Sequence, residues 1–268
     1  MQNGYYQAVG GMVTQFNRLD TISNNLANTN TAGFKREDVI VGDFLTVLKQ
    51  QRDELPIKNN TKDAAKFINR SLDRVPHIVR DYIDFSLGAM RKTGNPLDVA
   101  LKRSDRFFLV KTPDGLKLTQ DGAFVLNEKG ELSTKEGYTV LGANYFQNHQ
   151  PIAIPAGNSV TISSNGSIYA NGQEIGKLYI AKFNHNLSNL KKFGDNLYDI
   201  TNLNDISISD DGDYIASGFL QMSNINPVKE MTALIETNRL VEMYQKVMTS
   251  QMNDLNSDAI NKLASTKA

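Results

Sequence analysis

Three histidines, one carboxylate-rich turn and two serine positions are the places where residue type alone could support chemistry. His77, His149 and His185 lie in different segments, with no metal-ligand spacing among them, so they read as structural or surface side chains. The run SDDGD (Ser209 to Asp213) clusters carboxylates around a glycine, but it lacks the full calcium-loop spacing and the terminal Glu. It reads as a solvated turn. Neither Ser86 nor Ser163-Ser164 sits in a G-x-S-x-G frame. Gly10-Gly11 has no preceding strand and no following Lys-Ser/Thr, so it is not a phosphate loop. With no Cys in the chain, disulfides, thiolate ligands and thiol catalysis are excluded. The expectation is a protein with no catalytic, cofactor-binding or metal-binding residues, no cofactor and no small-molecule substrate.

What remains is recognition chemistry, and it concentrates in NNLANTNTAGFK (Asn24 to Lys35). Asn and Thr side chains compete for backbone hydrogen bonds, so they end helices and favour turns. Gly33 can take the positive φ that a helix stop or turn needs, and Phe34 offers an apolar anchor just beyond it. The helix being stopped is marked by Tyr5, Val9, Met12, Phe16, Leu19, Ser23 and Leu26, which follow alternating steps of four and three, with Ile22 widening the seam. Gly10-Gly11 weakens it by about 1 kcal/mol per Gly relative to Ala, so the helix calls for a partner surface.

The other end of the chain repeats the pattern. Asn226 is a candidate N-cap and Pro227 suits the first helical position. Met231, Leu234, Asn238, Val241, Gln245, Met248, Met252, Leu255 and Ala259 then keep a heptad register, predicting a helix over Pro227 to Leu263. Asn238 and Gln245 interrupt the seam, where buried amides would fix register.

Between the ends the period changes. RFFLV, LKLTQ, AFVLN, YTVLG, VTISS, SIYA and KLYIAKF are short β-type runs separated by PDG, DG, EKG and two NG turns, a spacing that predicts antiparallel hairpins of Greek-key or sandwich type. The segment before them is mixed, with short helices expected over Gly42 to Leu55 and Thr61 to Val75, divided by Pro56. The predicted fold is therefore α+β: N- and C-terminal helices forming a coiled-coil stalk, with an antiparallel all-β middle domain. The expected divisions are an assembly helix over 1–30, a connecting segment over 31–95, a β-rich body over 96–222 and a second assembly helix over 223–268. The helix faces left uncovered, including Ile235, Leu240 and Tyr244, want a neighbour.

Charge is balanced, at 29 Lys+Arg against 29 Asp+Glu, which argues against nucleic acid as a partner and against a polybasic membrane anchor. It also lowers repulsion between identical copies. The start, MQNGYYQAVGGM, has no basic residues followed by an apolar run, so no cleaved signal peptide is expected. No stretch approaches about 20 apolar residues, so no membrane span is expected.

Several long motifs resemble one family. LDTISNNLANTNTAGFKR (Leu19 to Arg36) is similar to the N-terminal signature of bacterial flagellar rod and hook proteins, and SNINPVKEMTALIETNR (Ser223 to Arg239) to their C-terminal signature. Gly94 to Leu132 resembles the start of their β body, and GDNLYD (Gly194 to Asp199) a later piece. The short β body disfavours the longer hook subunit. NPLDVAL and SNINPVKEM look closer to the proximal-rod type, whereas the distal type more often carries a QRAYE-like segment where this chain has Asn238 to Glu242. At KRSDRFF (Lys102 to Phe108) the family commonly has glycines before the Phe pair, which implies a different local loop.

The resemblance implies a structural subunit that leaves the cell through the flagellar type III export apparatus by its uncleaved N-terminal region. It implies helical stacking with copies of itself and other flagellar rod proteins into a basal-body rod that crosses the periplasm and carries torque to the hook. The terminal helices would line the inner tube. Neutral amides at Asn24, Asn25, Asn28, Asn30, Asn224 and Asn226 would bond neighbouring subunits, together with the seam residues and the Gly33-Phe34 exit, because burying an unpaired charge there costs far more. A distal-rod or hook-like subunit is the near alternative. A secreted β-rich cell-wall-binding protein or enzyme is the distant one, and it needs a cleft with convergent carboxylates or a metal.

Overall fold

In the computed structural model the described residues are 2–43, 76–155, 157–184, 187, 190–200, 202–208 and 212–265. The helices expected over Gly42 to Leu55 and Thr61 to Val75 fall outside them, except that Gly42 and Asp43 are strand. His185 and Ser209 to Asp211 of the carboxylate turn also fall outside them.

The chain divides into two compact units. The first holds α1 (Gln2–Ala27) up to Leu26, the paired strands β1 (Glu37–Asp43) and β2 (Pro76–Ile83), and the long helix α3 (Pro227–Ser265). α3 begins at Pro227, where the missing N–H costs nothing, and runs 39 residues, about 58 Å if straight. Strands β1 and β2 stand where the sequence reading expected a helical or extended connection.

The second unit runs from Ile83 to Asn226 and includes the segment Ala27–Arg36. Its strands pair antiparallel throughout the described register. At the centre is β5 (Arg106–Thr112). Along one edge it pairs with β6 (Gly115–Thr119). Along the other it pairs with β9 (Thr139–Val140) and with β13 (Ile180–Phe183). β15 (Leu197–Asp199) and β14 (Lys191–Gly194) extend the sheet beyond β6, while β8 (Leu132–Ser133) and β7 (Val125–Leu126) extend it beyond β9. Strand β16 (Ile206–Ile208) pairs with β13, next to a 3-10 turn at Leu203–Asp205.

Smaller ladders complete the unit. They are β10 (Val160–Ile162), β11 (Ser167–Ala170) and β12 (Gln173–Lys177); β17 (Ile215–Ser217) with β4 (Val99–Leu101); and β18 (Phe219–Gln221) with β3 (Met90–Lys92). A single turn of helix, α2 (Tyr145–Asn148), ends on His149 in the left-handed region. The β11–β12 turn uses Asn171 and Gly172, both at positive φ, as the NG signal requires.

Side chains alternate across a strand, and β5 is buried on both faces. Phe108 and Val110 join one core with Leu101, Phe124, Ile168 and Ile180; Phe107 and Leu109 join a second with Phe85, Leu118 and Tyr198. Phe85, Phe107 and Tyr198 meet with ring centroids 5.2–5.8 Å apart. Two cores around one twisted sheet give the unit a stiffness that a one-faced sheet lacks.

Candidate assembly surface

α1 and α3 lie side by side and antiparallel. A Cβ built on Gly4 would meet Gln251 Oε1 at 3.4 Å, and one on Gly11 would stand 2.5 Å from the Tyr244 ring. Near the far end of α1, Asn25 Nδ2 donates to Glu230 Oε2 at 3.4 Å. The contacts step by seven and then fourteen residues along both helices, which is a heptad registry.

The face of α1 turned inward is mostly small or polar, with one large apolar side chain: Ala8, Gly11, Thr14, Gln15, Ile22 and Asn25 are buried. On α3 the buried positions are Glu230, Thr237 and Val241, with Leu234, Tyr244 and Met248 half-buried. Thr237 Oγ1 donates to Ala233 O at 2.7 Å, so its hydroxyl is satisfied inside its own helix. Glu230 lies in the first turn of α3, where the helix dipole favours a carboxylate.

This corrects the phase read from the sequence. Leu234, Val241 and Met248 do lie toward α1, but Met231 (51% exposed), Asn238, Gln245 and Met252 face away. Asn238 and Gln245 are therefore not buried between α1 and α3 within the protomer. On α1, Tyr5, Val9, Met12, Leu19 and Leu26 are half-buried and Phe16 is exposed. Leu255 belongs to α3, but its side chain is outside the described residues. The physical reason is close approach: Gly11 leaves room for the Tyr244 ring and Ala8 is small, so the helices come together over few large side chains and much of the apolar surface stays on the outward side. The missed signal was Gly4, Ala8 and Gly11, small residues at steps of four and three.

The outward side of this pair is apolar. Tyr6, Val13 and Phe16 on α1 are exposed, as are Val228, Met231, Ile235, Met243, Val247 and Met252 on α3. Met231, Ile235, Met243 and Val247 fall on one row of four-residue steps, interrupted by Arg239. Such a row forms a ridge that fits the groove of a neighbouring helix.

The asparagines divide. Asn25 is fully buried and clamps β1: its Nδ2 donates to Glu37 O at 2.7 Å and Glu37 N donates to its Oδ1 at 3.0 Å. Its amide is engaged within the protomer rather than held for a neighbour. Asn24, Asn30 and Asn226 are exposed, and Asn28 is half-buried.

In the second unit the exit segment is fixed by its own set of bonds. Thr31 Oγ1 donates to Asn28 Oδ1 at 3.1 Å, and Gly33 N, at φ +70°, donates to Gln221 O at 2.8 Å. Phe34 is buried under the Lys192 amine, 3.6 Å from its ring centroid. Asn224 binds two chain passages at once. Its Oδ1 accepts from Arg36 N at 2.8 Å, and its Nδ2 donates to Asp84 O at 2.7 Å and to Ser86 Oγ at 3.0 Å.

A buried lysine and a half-buried aspartate belong to this region. Lys35 donates to Ser86 O at 2.9 Å; burial lowers its pKa to about 8, against the pull of Asp84. Asp121 is raised to about 6, first by burial, although the Ala123 N–H bond opposes the shift. Between about 8 and 10.5 the unfolded chain carries a proton that folded Lys35 has lost, so stability rises with pH there. Between 3.8 and about 6 folded Asp121 keeps a proton that the unfolded chain has lost, so stability falls as pH rises. Asp121→Asn keeps the Oδ1 acceptor and should flatten that acidic slope, removing a loss of about 2 kcal/mol between pH 4 and 7. Melts at a series of pH values check it; an unchanged slope assigns the dependence to other groups.

Among the described residues no helix is long and apolar enough to cross a membrane, and no three His, Asp or Glu side chains converge as metal ligands. An open groove of about 540 Å³ is lined in part by Lys111, Glu131, Glu136, Tyr138 and His149. Glu131 accepts from Asn127 at 2.8 Å, and Tyr138 donates to Asp195 at 2.9 Å, so these two groups brace loops.

Comparison with known proteins fits this arrangement piece by piece. Residues 6–35 match the family described as flagella basal body rod protein, 103–170 the flagellar hook protein FlgE/F/G D1 domain, and 216–262 the flagellar basal body rod FlgEFG protein C-terminal. The flagellar basal-body rod protein FlgF of Mesorhizobium japonicum is 31% identical, over 99% of each chain. FlgF of Caulobacter vibrioides is 32% identical over 98% of each, and the rod protein FlgG of Agrobacterium fabrum is 33% identical over 91% of this chain and 93% of its own. With likeness running the full length and most of both helices inside the matched segments, the chain belongs to the family of bacterial flagellar basal-body rod proteins, structural subunits of that rod.

Proposed function

We propose that this chain polymerises helically through its terminal helices, with copies of itself and other rod proteins, into the proximal part of the rod. The carrying observation is the inverted helix pair. Its inner face mixes Ala8, Gly11, Thr14 and Gln15 with only a few apolar side chains, chiefly Ile22 and Val241, while Phe16, Met231, Ile235 and Met243 lie outside. A monomer gains nothing by exposing such a ridge, whereas a polymer buries it at every contact, at roughly 25 cal/mol per Å² of apolar area. The antiparallel heptad registry supports a coiled-coil stalk as the polymerising element. The two-core β unit is suited to an outer layer that transmits torque.

The proximal position rests on the likeness of NPLDVAL and SNINPVKEM to that type. Locating the subunit in intact basal bodies by electron microscopy tests it; density beyond the proximal segment would make the chain a distal subunit. Passage through the flagellar type III apparatus follows from the same reading. Removing residues 2–18 should cut export of the subunit at least tenfold, read by immunoblot of the periplasmic fraction. Undiminished export would place the signal elsewhere.

A further inference from the structure

The residue spacing offers the helix pair a second heptad register. Gly4 and Gly11 are one heptad apart, so Tyr244 has two notches of the same kind available on α1. Sliding α3 by seven residues would move Tyr244 from Gly11 to Gly4 and set Thr237 against Gly11. It would also bring Glu230 opposite Arg18, an oppositely charged partner. Small residues and heptad spacing therefore do not choose between the two alignments, which differ by about 10 Å of translation.

We infer that Asn25, through its bonds to Glu230 and to both backbone groups of Glu37, is the residue that selects the native register. Its amide is buried and engages Glu37 N, Glu37 O and Glu230 Oε2 together. In the slipped register Glu230 leaves the clamp, and a buried amide loses a partner it cannot replace with water. One buried Asn fixing alignment at a cost in stability is a known device in helix pairs. Here it stands at the end of the seam, next to the strand that follows. This inference concerns the protomer and holds whatever position the subunit takes in the rod.

The chain has no Cys, so introduced pairs report without background. Extending the observed registry places Gln15 opposite Leu240 in the native alignment and opposite Ala233 in the slipped one. In full-length protein, Gln15→Cys with Leu240→Cys should form a disulfide, and Gln15→Cys with Ala233→Cys should not. Adding Asn25→Ala should raise the second cross-link at least fivefold relative to the first. Arg18→Glu, which sets a carboxylate against Glu230 in the slipped alignment, should restore the native ratio. An unchanged ratio in Asn25→Ala overturns the inference. Loss of both cross-links also overturns it, because Asn25 would then hold the helices together without choosing their alignment.

Discussion

Ile235→Glu in the full-length chain should abolish swimming while leaving the melting temperature of the protomer within about 2 °C of the parent. Ile235 is 54% exposed on α3, so in the isolated protomer a glutamate there stays hydrated and costs about 0.5 kcal/mol at most. In a polymer the same carboxylate enters an apolar contact and costs several kcal/mol unless paired. The penalty recurs at each subunit, so even a modest value per contact stops growth. Phe16→Glu on α1 should behave alike. Val241→Glu is the contrasting variant: Val241 is 6% exposed in the seam, so a charge there also separates the two helices and lowers helicity of the free protein. Soft-agar spreading, micrographs of basal bodies and circular dichroism of the purified protein give the three readouts. Normal rods built from Ile235→Glu subunits would show that the outward ridge is not a subunit contact, and the assembly reading of this face would fall.

The elements whose local chemistry agrees with their final surroundings were legible from sequence. Pro227 opens α3 because a fixed φ and a missing N–H are local matters. Asn171-Gly172 turns β11 into β12 because positive φ is a local demand. The seam was legible only in part: Leu234, Val241 and Met248 lie toward α1, whereas Met231, Asn238, Gln245 and Met252 are exposed in the protomer. In this pair small residues let the helices approach, so Ile22 and Val241 are buried while a second apolar row, from Met231 to Val247, is left facing outward. Strands β1 and β2 were missed for a related reason. EDVIVGD is short and its pairing partner begins more than thirty residues later, so no hairpin signal announced it.

The amide-rich exit was recognisable as a stop, but its division of labour was not. Asn24 and Asn25 are adjacent and chemically identical, yet one is exposed and the other fully buried. Only the fold decides which one meets Glu37. Lys35 was equally hidden: its type says surface, while Ser86 O and the surrounding chain hold it inside.

Gly33→Ala should be among the most damaging single changes in the second unit, lowering its stability by about 3 kcal/mol or more, roughly 6–12 °C in melting temperature. Two costs combine. At φ +70° an alanine is strained by about 1 kcal/mol. Its Cβ would also lie 2.4 Å from Asp121 N and 2.6 Å from Gln120 C, which are backbone atoms that cannot rotate aside. Relief requires moving the exit segment, which stretches the Gly33 N to Gln221 O bond and lifts Phe34 from beneath Lys192. Gly94→Ala separates the two costs. Gly94 has φ +77° but nothing within 4 Å of a built Cβ, so that variant should show the conformational strain alone. The chain has no Trp, so tyrosine fluorescence and circular dichroism follow the melts. If the two variants melt together, the close approach of Gly33 to Asp121 is not maintained in solution. If Gly33→Ala alone falls steeply, the glycine in the exit is required by contact as well as by conformation, and its close approach to Asp121 is one of the points that hold the segment in the β unit.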